Sequence, residues 1–255
     1  MSNVIGLDIG GTKISGILYN GKKILKTITI GTPRSLSAFK VITRKVIEYL
    51  AKEEKDILLG VGIPGAVDSD GKVLYAPNLK FLVGFNFKEF LKISKIKKIK
   101  IENDSNCFAL AEARLGQGKN LKNFIGITLG TGIGGGLISN GQIYTGVHGS
   151  AGEVGHMTAD EKLTYERYFQ KFRDSKNYKA LGNLLGRLFA DIYNILDVDT
   201  IILGGSVINS ADQFIKFVKM ELKDKILNKQ IKPNIIISKL NNAGSIGAAL
   251  LWVKS

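Results

Sequence analysis

Two glycine-rich segments of this chain contain the residue types that bind phosphate groups. The first runs from Asp8 to Lys13, directly after apolar residues 4–7, and the second runs from Thr128 to Gly136, after residues 124–127. Glycine lets the backbone approach a ligand closely, so the N–H groups of such turns can converge on an anion. Each turn lies between two strand-like runs. Together they predict a polyphosphate ligand, and nucleotide binding is the leading hypothesis.

One carboxylate between the two turns is placed for proton chemistry. Asp104 follows the strand-like residues 99–102 and precedes a helical pattern over 105–115. A carboxylate at such a junction can accept a proton from a substrate hydroxyl, or it can cap the helix, which aspartate does well. The residues alone leave these two interpretations equally open.

A repeated order of elements must position these residues. Hydrophobic periodicity predicts a strand meander from residue 4, followed by alternating helices and strands, and the same order restarts at residue 124. The predicted strands are 4–9, 14–19, 24–30, 58–63, 99–102, 124–127, 137–139, 142–144, 200–203 and 235–238, and the predicted helices are 36–52, 105–115, 162–172, 178–196, 211–227 and 243–252.

This duplication predicts two similar α/β lobes with a cleft between them. We expect an N-terminal lobe over residues 1–117 and a C-terminal lobe over 118–242, with the last helix, at about 243–255, returning to the first lobe. The boundary near Gly116 and Gly118 is set only by the restart of the pattern.

The composition is that of a globular protein with a basic surface. The chain has 255 residues, 44% hydrophobic and 23% charged, and its net charge of +14 favours anionic substrates such as ATP and sugar phosphates. The densest lysine run, Lys92 to Lys100, alternates with isoleucine. That pattern is typical of a solvated edge element rather than a nucleic-acid-binding arm, so we expect no nucleic-acid partner.

The sequence also bears on metal content and location. Cys107 is the single cysteine, which excludes an internal disulfide and any multi-cysteine metal site. No apolar run is long enough to span a bilayer, and the N-terminus lacks the pattern of a signal peptide. We therefore expect a cytoplasmic protein with no membrane partner.

A generic nucleotide fingerprint in the second turn is misleading. Residues 130–135 match G-x-G-x-x-G, which is typical of dinucleotide-binding folds, but that fingerprint needs a helix directly after the glycines. Residues 137–141 instead indicate a strand and a hairpin, and no Walker-type G-x-x-x-x-G-K-[ST] occurs. The sequence therefore argues against a Rossmann fold.

The order and spacing of several segments resemble the ROK family of glucokinases, other hexose and amino-sugar kinases, and related repressors. The resemblance covers residues 4 to about 251 and implies an α/β fold, the duplicated actin-like (ribonuclease-H-like) ATPase fold with two lobes and an interlobe cleft. The segments that carry it are Asp8–Lys13, Gly62–Asp68, Ala76–Leu79, Glu102–Asn106, Gly130–Gly136, Gly152–His156, Gly204–Val207 and Gly244–Ala249.

The resemblance implies a role for each candidate residue. Asp104 would be the general base for a sugar hydroxyl, and Asp8 would lie near the Mg²⁺ that accompanies ATP, through water. Taken alone, Asp8 could be a strand-end turn residue and His156 a packed or capping residue. The implied nucleotide contacts are Asp8, Gly10, Gly11, Thr12, Lys13, Thr131, Gly132, Gly134 and Gly205, and the implied sugar contacts are Gly65, Asn78, Asn103, Asp104, Glu153, His156 and Glu166.

The chain departs from the family pattern at one place. Many members have a C-x-C-G-x-x-G-C segment after the histidine that binds structural zinc, whereas this chain has residues 157–163 there and no cysteine. A zinc site needs about four ligands, which His156 cannot supply alone. We expect no zinc, a shortened loop, and His156 available to the sugar.

The resemblance thus implies an ATP-dependent kinase that transfers the γ-phosphate of Mg-ATP to a hexose hydroxyl. The leading candidate substrate is glucose, and the leading acceptor is the C6 hydroxyl. The alternatives are an N-acetylmannosamine or N-acetylglucosamine kinase, a fructokinase, and a catalytically idle sugar-binding regulator. Because the first strand begins at residue 4, we expect this chain not to be a family repressor of the usual helix-turn-helix form. Family members commonly form dimers, and we expect a homodimer.

Overall fold

A computed structural model describes residues 3–52, 54–68, 70–91, 95–230 and 233–253. Its strands and helices are, in chain order, β1 (Val4–Ile9), β2 (Lys13–Tyr19), β3 (Ile24–Gly31), α1 (Leu36–Leu50), β4 (Ile57–Ile63), β5 (Ala66–Val67), β6 (Val73–Tyr75), α2 (Phe87–Phe90), β7 (Ile96–Asn103), α3 (Asp104–Leu115), β8 (Phe124–Leu129), β9 (Ile133–Ser139), β10 (Gln142–Tyr144), α4 (Tyr165–Asp174), α5 (Tyr178–Leu196), β11 (Thr200–Gly204), α6 (Ala211–Lys225), β12 (Asn234–Ile237) and α7 (Ala243–Leu250). Short 3₁₀ turns lie at Lys80–Leu82, Val154–His156 and Ser206–Ser210.

The chain divides into two compact units. The first unit comprises Met1–Ala111 and Leu240–Ser255, and the second comprises Glu112–Lys239. The division therefore falls inside α3, whereas the boundary expected from the sequence lies after residue 117. Helix α7 belongs to the first unit, although it is last in the chain.

The first unit is built on a five-stranded sheet in the order β3-β2-β1-β4-β7. The meander β1–β3 is antiparallel, whereas β1, β4 and β7 run parallel to one another. Helix α1 begins after Ser35, whose hydroxyl accepts a hydrogen bond from the N–H of Ala38. Its buried face, which includes Phe39, Val46 and Leu50, packs on the apolar core of the sheet.

Helix α7 approaches the first unit's sheet unusually closely because glycines line the contact. A methyl group on Gly60 of β4 would overlap the backbone of Ala248, and a methyl group on Gly247 would overlap the carbonyl oxygen of Cys107 in α3. The Ser245 hydroxyl also donates to the carbonyl of Ser15, at 3.0 Å. The small residues of α7 thus allow this helix to pack closely against both β4 and α3.

The second unit repeats the architecture of the first. Its sheet has the order β10-β9-β8-β11-β12, with an antiparallel meander β8–β10 and parallel β8, β11 and β12. The apolar face of α5 packs into the core of this unit. Gly182 and Gly186 let α5 contact the α6 backbone at Phe214 and Val218.

The structure confirms the predicted α/β order and moves several boundaries. Helix α4 begins at Tyr165 because the hydroxyl of Thr164 caps it by accepting from the N–H of Arg167. Helix α7 ends at Leu250, before the predicted end. Of the lysine run, residues 92–94 lie outside the described residues, and residues 96–100 form part of edge strand β7. Across the described ranges, no helix combines the length and hydropathy that a membrane span requires.

The glycine contacts of α7 lead to a stability prediction. Gly247→Ala should lower the free energy of unfolding by at least about 2 kcal/mol, because the added methyl group must displace the backbone of α3. At an uncrowded helix position the same change would be stabilising.

Urea unfolding would measure the loss. The matched control is Gly31→Ala, since nothing lies within 4 Å of a methyl group there. Equal stability of the two variants would show that α7 does not pack tightly on α3.

Candidate functional site

In the first unit, the candidate residues lie at the carboxyl ends of parallel strands. Asp8 pairs with Gly62 in the register of β1 and β4, and Ile63 pairs with Asn103 in the register of β4 and β7. Asp8 and Asp104 therefore end at the same edge of the sheet, which is where α/β sheets bind their ligands.

The first glycine turn, residues 10–12, is held by residues that follow β3. The Thr32 hydroxyl donates to the carbonyl of Gly10 at 2.7 Å, and the Thr32 N–H donates to the carbonyl of Thr12 at 3.0 Å. Arg34 Nη1 reaches the carbonyl of Gly11 at 3.5 Å. The side chains of Thr12 and Lys13 are exposed at this turn.

Asn78 lies against the same turn. A methyl group on Gly11 would come within 3.1 Å of the Asn78 Cβ, so the glycine leaves room for this neighbour. The structure thus brings Asn78, a sequence-predicted sugar contact, next to the predicted phosphate turn.

Asp8 is in an environment that disfavours its charge. Burial, with a further contribution from the negative charge of Asp104, raises the pKa of Asp8 from 3.8 to about 7, and Lys13 opposes the rise. The carboxylate also packs on the start of α7, since a methyl group on Gly244 would overlap it. A cation at this position would relieve the repulsion between the two carboxylates.

The cap of helix α3 is Asn103 rather than Asp104. The Asn103 side-chain oxygen accepts from the N–H groups of Ser105 (2.8 Å) and Asn106 (3.2 Å), and its amide nitrogen donates to the carbonyl of Gly65 at 3.1 Å. The interpretation of Asp104 as the capping residue is therefore wrong. Asp104 is the first residue of the helix, where it accepts a hydrogen bond from the Ser105 hydroxyl at 3.3 Å.

Gly65 is fixed by its backbone. Its φ is +106°, and a methyl group on it would overlap the carbonyl of Tyr75. The Asn103 amide then ties this tight segment to α3. Gly65 and Asn103 accordingly brace the position of Asp104.

In the second unit, helix α4 holds the second glycine turn, residues 130–132. Glu166 Oε2 accepts from the N–H of Ile133 at 3.0 Å, and Gly132 has no room for a side chain beneath this carboxylate. Arg173 Nη1 donates to the carbonyls of Gly130 and Thr131, at 2.7 and 2.8 Å. The predicted sugar ligand Glu166 thus contacts the phosphate turn.

The segment that carries Glu153 and His156 packs on the start of β9. A methyl group on Gly155 would lie 2.5 Å from the carbonyl oxygen of Ile133, the residue whose N–H Glu166 binds. Glu153 Oε2 lies 3.2 Å from His156 Nδ1, and the two side chains are 39% and 44% exposed. The structure therefore brings this acid–imidazole pair and Glu166 to the same strand end.

The two remaining predicted glycines lie beside the second turn. Gly134 pairs with Thr128 across the β8–β9 hairpin. Gly205 follows β11 with a φ of +91°, and a methyl group on it would overlap the backbone of Leu129 at the end of β8. Gly205 therefore needs to be glycine for this close backbone approach.

Comparison with known proteins identifies the family. The model of the ROK family matches residues 4–167 and 159–255. This chain belongs to the ROK family. It is 29% identical to the N-acetyl-D-glucosamine kinase of Vibrio cholerae serotype O1 over 300 aligned positions, which cover 98% of this chain and 99% of that protein.

Solved structures of ROK proteins have the same fold. The ROK family glucokinase from Streptomyces griseus, in complex with glucose and AMPPNP, superposes with a TM-score of 0.84 at 23% identity, covering 98% of this chain and 99% of that one. The inorganic polyphosphate/ATP-glucomannokinase from Arthrobacter sp. strain KM has a TM-score of 0.80 at 26% identity, covering 98% of each chain. The duplicated actin-like fold predicted from the ROK resemblance is confirmed.

The donor groups of this ROK protein fit a magnesium–nucleotide ligand. Thr12 and Lys13 are exposed at the first glycine turn, and Asp8 is an oxygen donor whose ionisation a cation would favour. Within the described part of the chain, no cluster of three His, Cys, Asp or Glu side chains could hold a metal ion. The absence of zinc stays a prediction.

Sequence reasoning missed the residues that hold the two turns. Thr32, Arg34, Gln170 and Arg173 lie outside every family segment, and Arg173 is 43 residues from Gly130. For the second turn a signal existed, since Glu166, Gln170 and Arg173 have the i, i+4, i+7 spacing of one helix face.

The raised pKa of Asp8 leads to a prediction for the metal-free protein. The folded protein keeps the Asp8 proton up to about pH 7, whereas the unfolded chain releases it near pH 3.8, so the folded state binds more protons between these values. The free energy of unfolding therefore falls as the pH rises through this window. Asp8→Asn should remove this loss, so its stability advantage over wild type should grow from near zero at about pH 4 to on the order of 2–4 kcal/mol at about pH 7.

Urea unfolding in a chelating buffer at several pH values would measure this difference. Asp70→Asn removes an exposed carboxylate and should give a curve parallel to that of the wild type. A parallel curve for Asp8→Asn as well would mean that Asp8 ionises normally in the folded protein.

Proposed function

We propose that this ROK protein is an ATP-dependent sugar kinase that phosphorylates a hydroxyl of N-acetylglucosamine. The observation that carries the kinase proposal is the edge of the first sheet, where Asp104 begins a helix capped by another residue and Asp8 adjoins an exposed Thr12–Lys13 turn. The choice of sugar is supported by the Vibrio cholerae relative.

Asp104 is the proposed general base. It would accept the proton of the sugar hydroxyl while that oxygen forms a bond to the γ-phosphorus of ATP, and the bond from that phosphorus to the β,γ-bridging oxygen breaks to release ADP. Because Asn103 caps α3, the Asp104 carboxylate is not required to hold the helix end.

The glycine turns are the proposed phosphate sites. Backbone N–H groups of residues 11–12 and 131–132 would bind phosphate oxygens, since those of Gly10 and Gly130 donate within their own turns. Lys13 would add positive charge near the terminal phosphates. Mg²⁺ bound with the nucleotide near Asp8 would neutralise part of the negative charge of the phosphates. Gly134 and Gly205 would allow the backbone beside the second turn to approach the nucleotide.

The sugar ligands are proposed on the family pattern. Glu153 and His156 are accessible and would hydrogen-bond sugar hydroxyls, with Glu166 contributing the carboxylate oxygen that does not bind Ile133. Asn78 and the second N–H of the Asn103 amide would complete the set. A homodimer is proposed on the family pattern alone.

Glucose is the second candidate substrate. It is supported by the Arthrobacter glucomannokinase, whose identity of 26% approaches that of the Vibrio protein. The two candidates differ at C2, where N-acetylglucosamine carries an acetamido group in place of a hydroxyl.

A sugar panel would test the proposal. With Mg-ATP, ADP formation should depend on added sugar, with kcat/KM at least about tenfold higher for N-acetylglucosamine than for glucose, N-acetylmannosamine, mannose or fructose. Glucose, mannose and fructose leave groups that hydrogen-bond the acetamido group unpaired, and N-acetylmannosamine presents its acetamido group in the other configuration at C2. A preference for glucose would support the second candidate. Sugar binding without ADP formation from any sugar would instead indicate an idle regulator.

Asp104→Asn would test the base. The amide keeps the size of the side chain but cannot accept the proton, so kcat should fall on the order of 10²–10⁴-fold while the sugar Kd changes only a few-fold. The Asn103 cap remains, so the variant should fold normally. The exposed control Asp70→Asn should keep wild-type kcat. Near-normal turnover of Asp104→Asn would exclude Asp104 as the base and make Glu153 the next candidate.

A further inference from the structure

Three side chains on one face of helix α4 hydrogen-bond to the backbone of the second glycine turn and of Ile133, the residue after it. Glu166, Gln170 and Arg173 follow one another at i, i+4 and i+7, so they lie on the same side of the helix. Glu166 accepts from the N–H of Ile133, Gln170 Nε2 donates to the carbonyl of Thr131 at 3.3 Å, and Arg173 donates to two carbonyls.

Arg173 is itself held rigidly. Its Nε and Nη2 donate to Asp174 Oδ1 at 2.8 and 2.7 Å, while its Nη1 donates to the carbonyl oxygens of Gly130 and Thr131. The guanidinium also lies over the ring of Phe169, 5.6 Å from its centroid. The planar fork of arginine makes these contacts simultaneously, which an ammonium group cannot do.

The contacts of Arg173 determine where the N–H groups of the turn point. In a trans peptide the C=O of one residue and the N–H of the next point in opposite directions. Drawing the Gly130 and Thr131 carbonyls toward α4 therefore directs the N–H groups of Thr131 and Gly132 away from it. Among the hydrogen bonds of the described residues, none uses either of these two N–H groups.

We propose that Arg173 is a positioning residue for the phosphate groups of the nucleotide. By holding two carbonyls, it directs two N–H groups toward the polyphosphate, while Asp174 offsets its charge. This inference rests on the proposed nucleotide-dependent function. The affinity for the nucleotide would then depend in part on helix α4, which lies outside the glycine motif.

Calorimetric titration of the full-length protein with Mg-ADP and, separately, with N-acetylglucosamine would test this role. Arg173→Met removes the guanidinium and keeps the aliphatic stem, so Mg-ADP affinity should fall on the order of tenfold or more while the sugar Kd stays within about twofold. Arg173→Lys should lose nearly as much. In steady state, the KM for Mg-ATP should rise more than kcat falls.

Arg167→Met is the matched control, since it removes an exposed positive charge from the same helix. It should leave both affinities within about twofold of wild type, which separates loop positioning from bulk electrostatics. Unchanged Mg-ADP affinity in Arg173→Met, or parallel losses of both affinities with a lowered Tm, would overturn the positioning role alone. A wild-type protein that does not bind Mg-ADP would overturn this role together with the proposed function.

Discussion

The fixed geometry of the trans peptide governs both glycine turns. Because C=O and N–H point in opposite directions, a residue that binds the carbonyls from one side directs the N–H groups to the other. Thr32 and Arg34 hold the carbonyls of the first turn, and Arg173 and Gln170 hold those of the second. The glycines permit the turn, but side chains outside the motif decide which polar groups it presents.

The two units use one scaffold for different chemistry. Asp8 and Thr128 occupy equivalent positions, each two residues before the first glycine of a turn, yet only the first unit has a carboxylate there. Likewise, Asp104 begins a helix directly after β7, whereas β12, which has the same place in the second sheet, is followed by α7, which begins at Ala243. The first unit thus has carboxylates at the ends of its parallel strands β1 and β7, whereas in the second unit an arginine held by the neighbouring carboxylate of Asp174 braces the glycine turn.

Local features of the fold could be predicted from the sequence, and contacts across long separations could not. The strand meanders and the strand–helix junction at Asp104 depend on hydrophobic patterns within a few residues, which the sequence states directly. The choice of Asn103 over Asp104 as the helix cap could not be predicted. Both residue types cap well, and the two alternatives differ only in whether the helix begins at residue 104 or 105. The contact between Arg173 and Gly130 joins residues 43 apart: the spacing of Glu166, Gln170 and Arg173 indicates a common helix face but not what that face contacts.

The packing of α7 connects the stability of the first unit to its chemistry. The closing helix that packs on β4 and α3 also brings Gly244 against the carboxylate of Asp8, and burial is the main cause of the raised pKa of Asp8. Because the fold disfavours the charge of Asp8, a cation that binds there below about pH 7 must displace the carboxyl proton, so its apparent affinity should rise with pH. The loss of stability between pH 3.8 and about pH 7 and the proton released on cation binding therefore depend on the same carboxyl group, which packs against the start of α7.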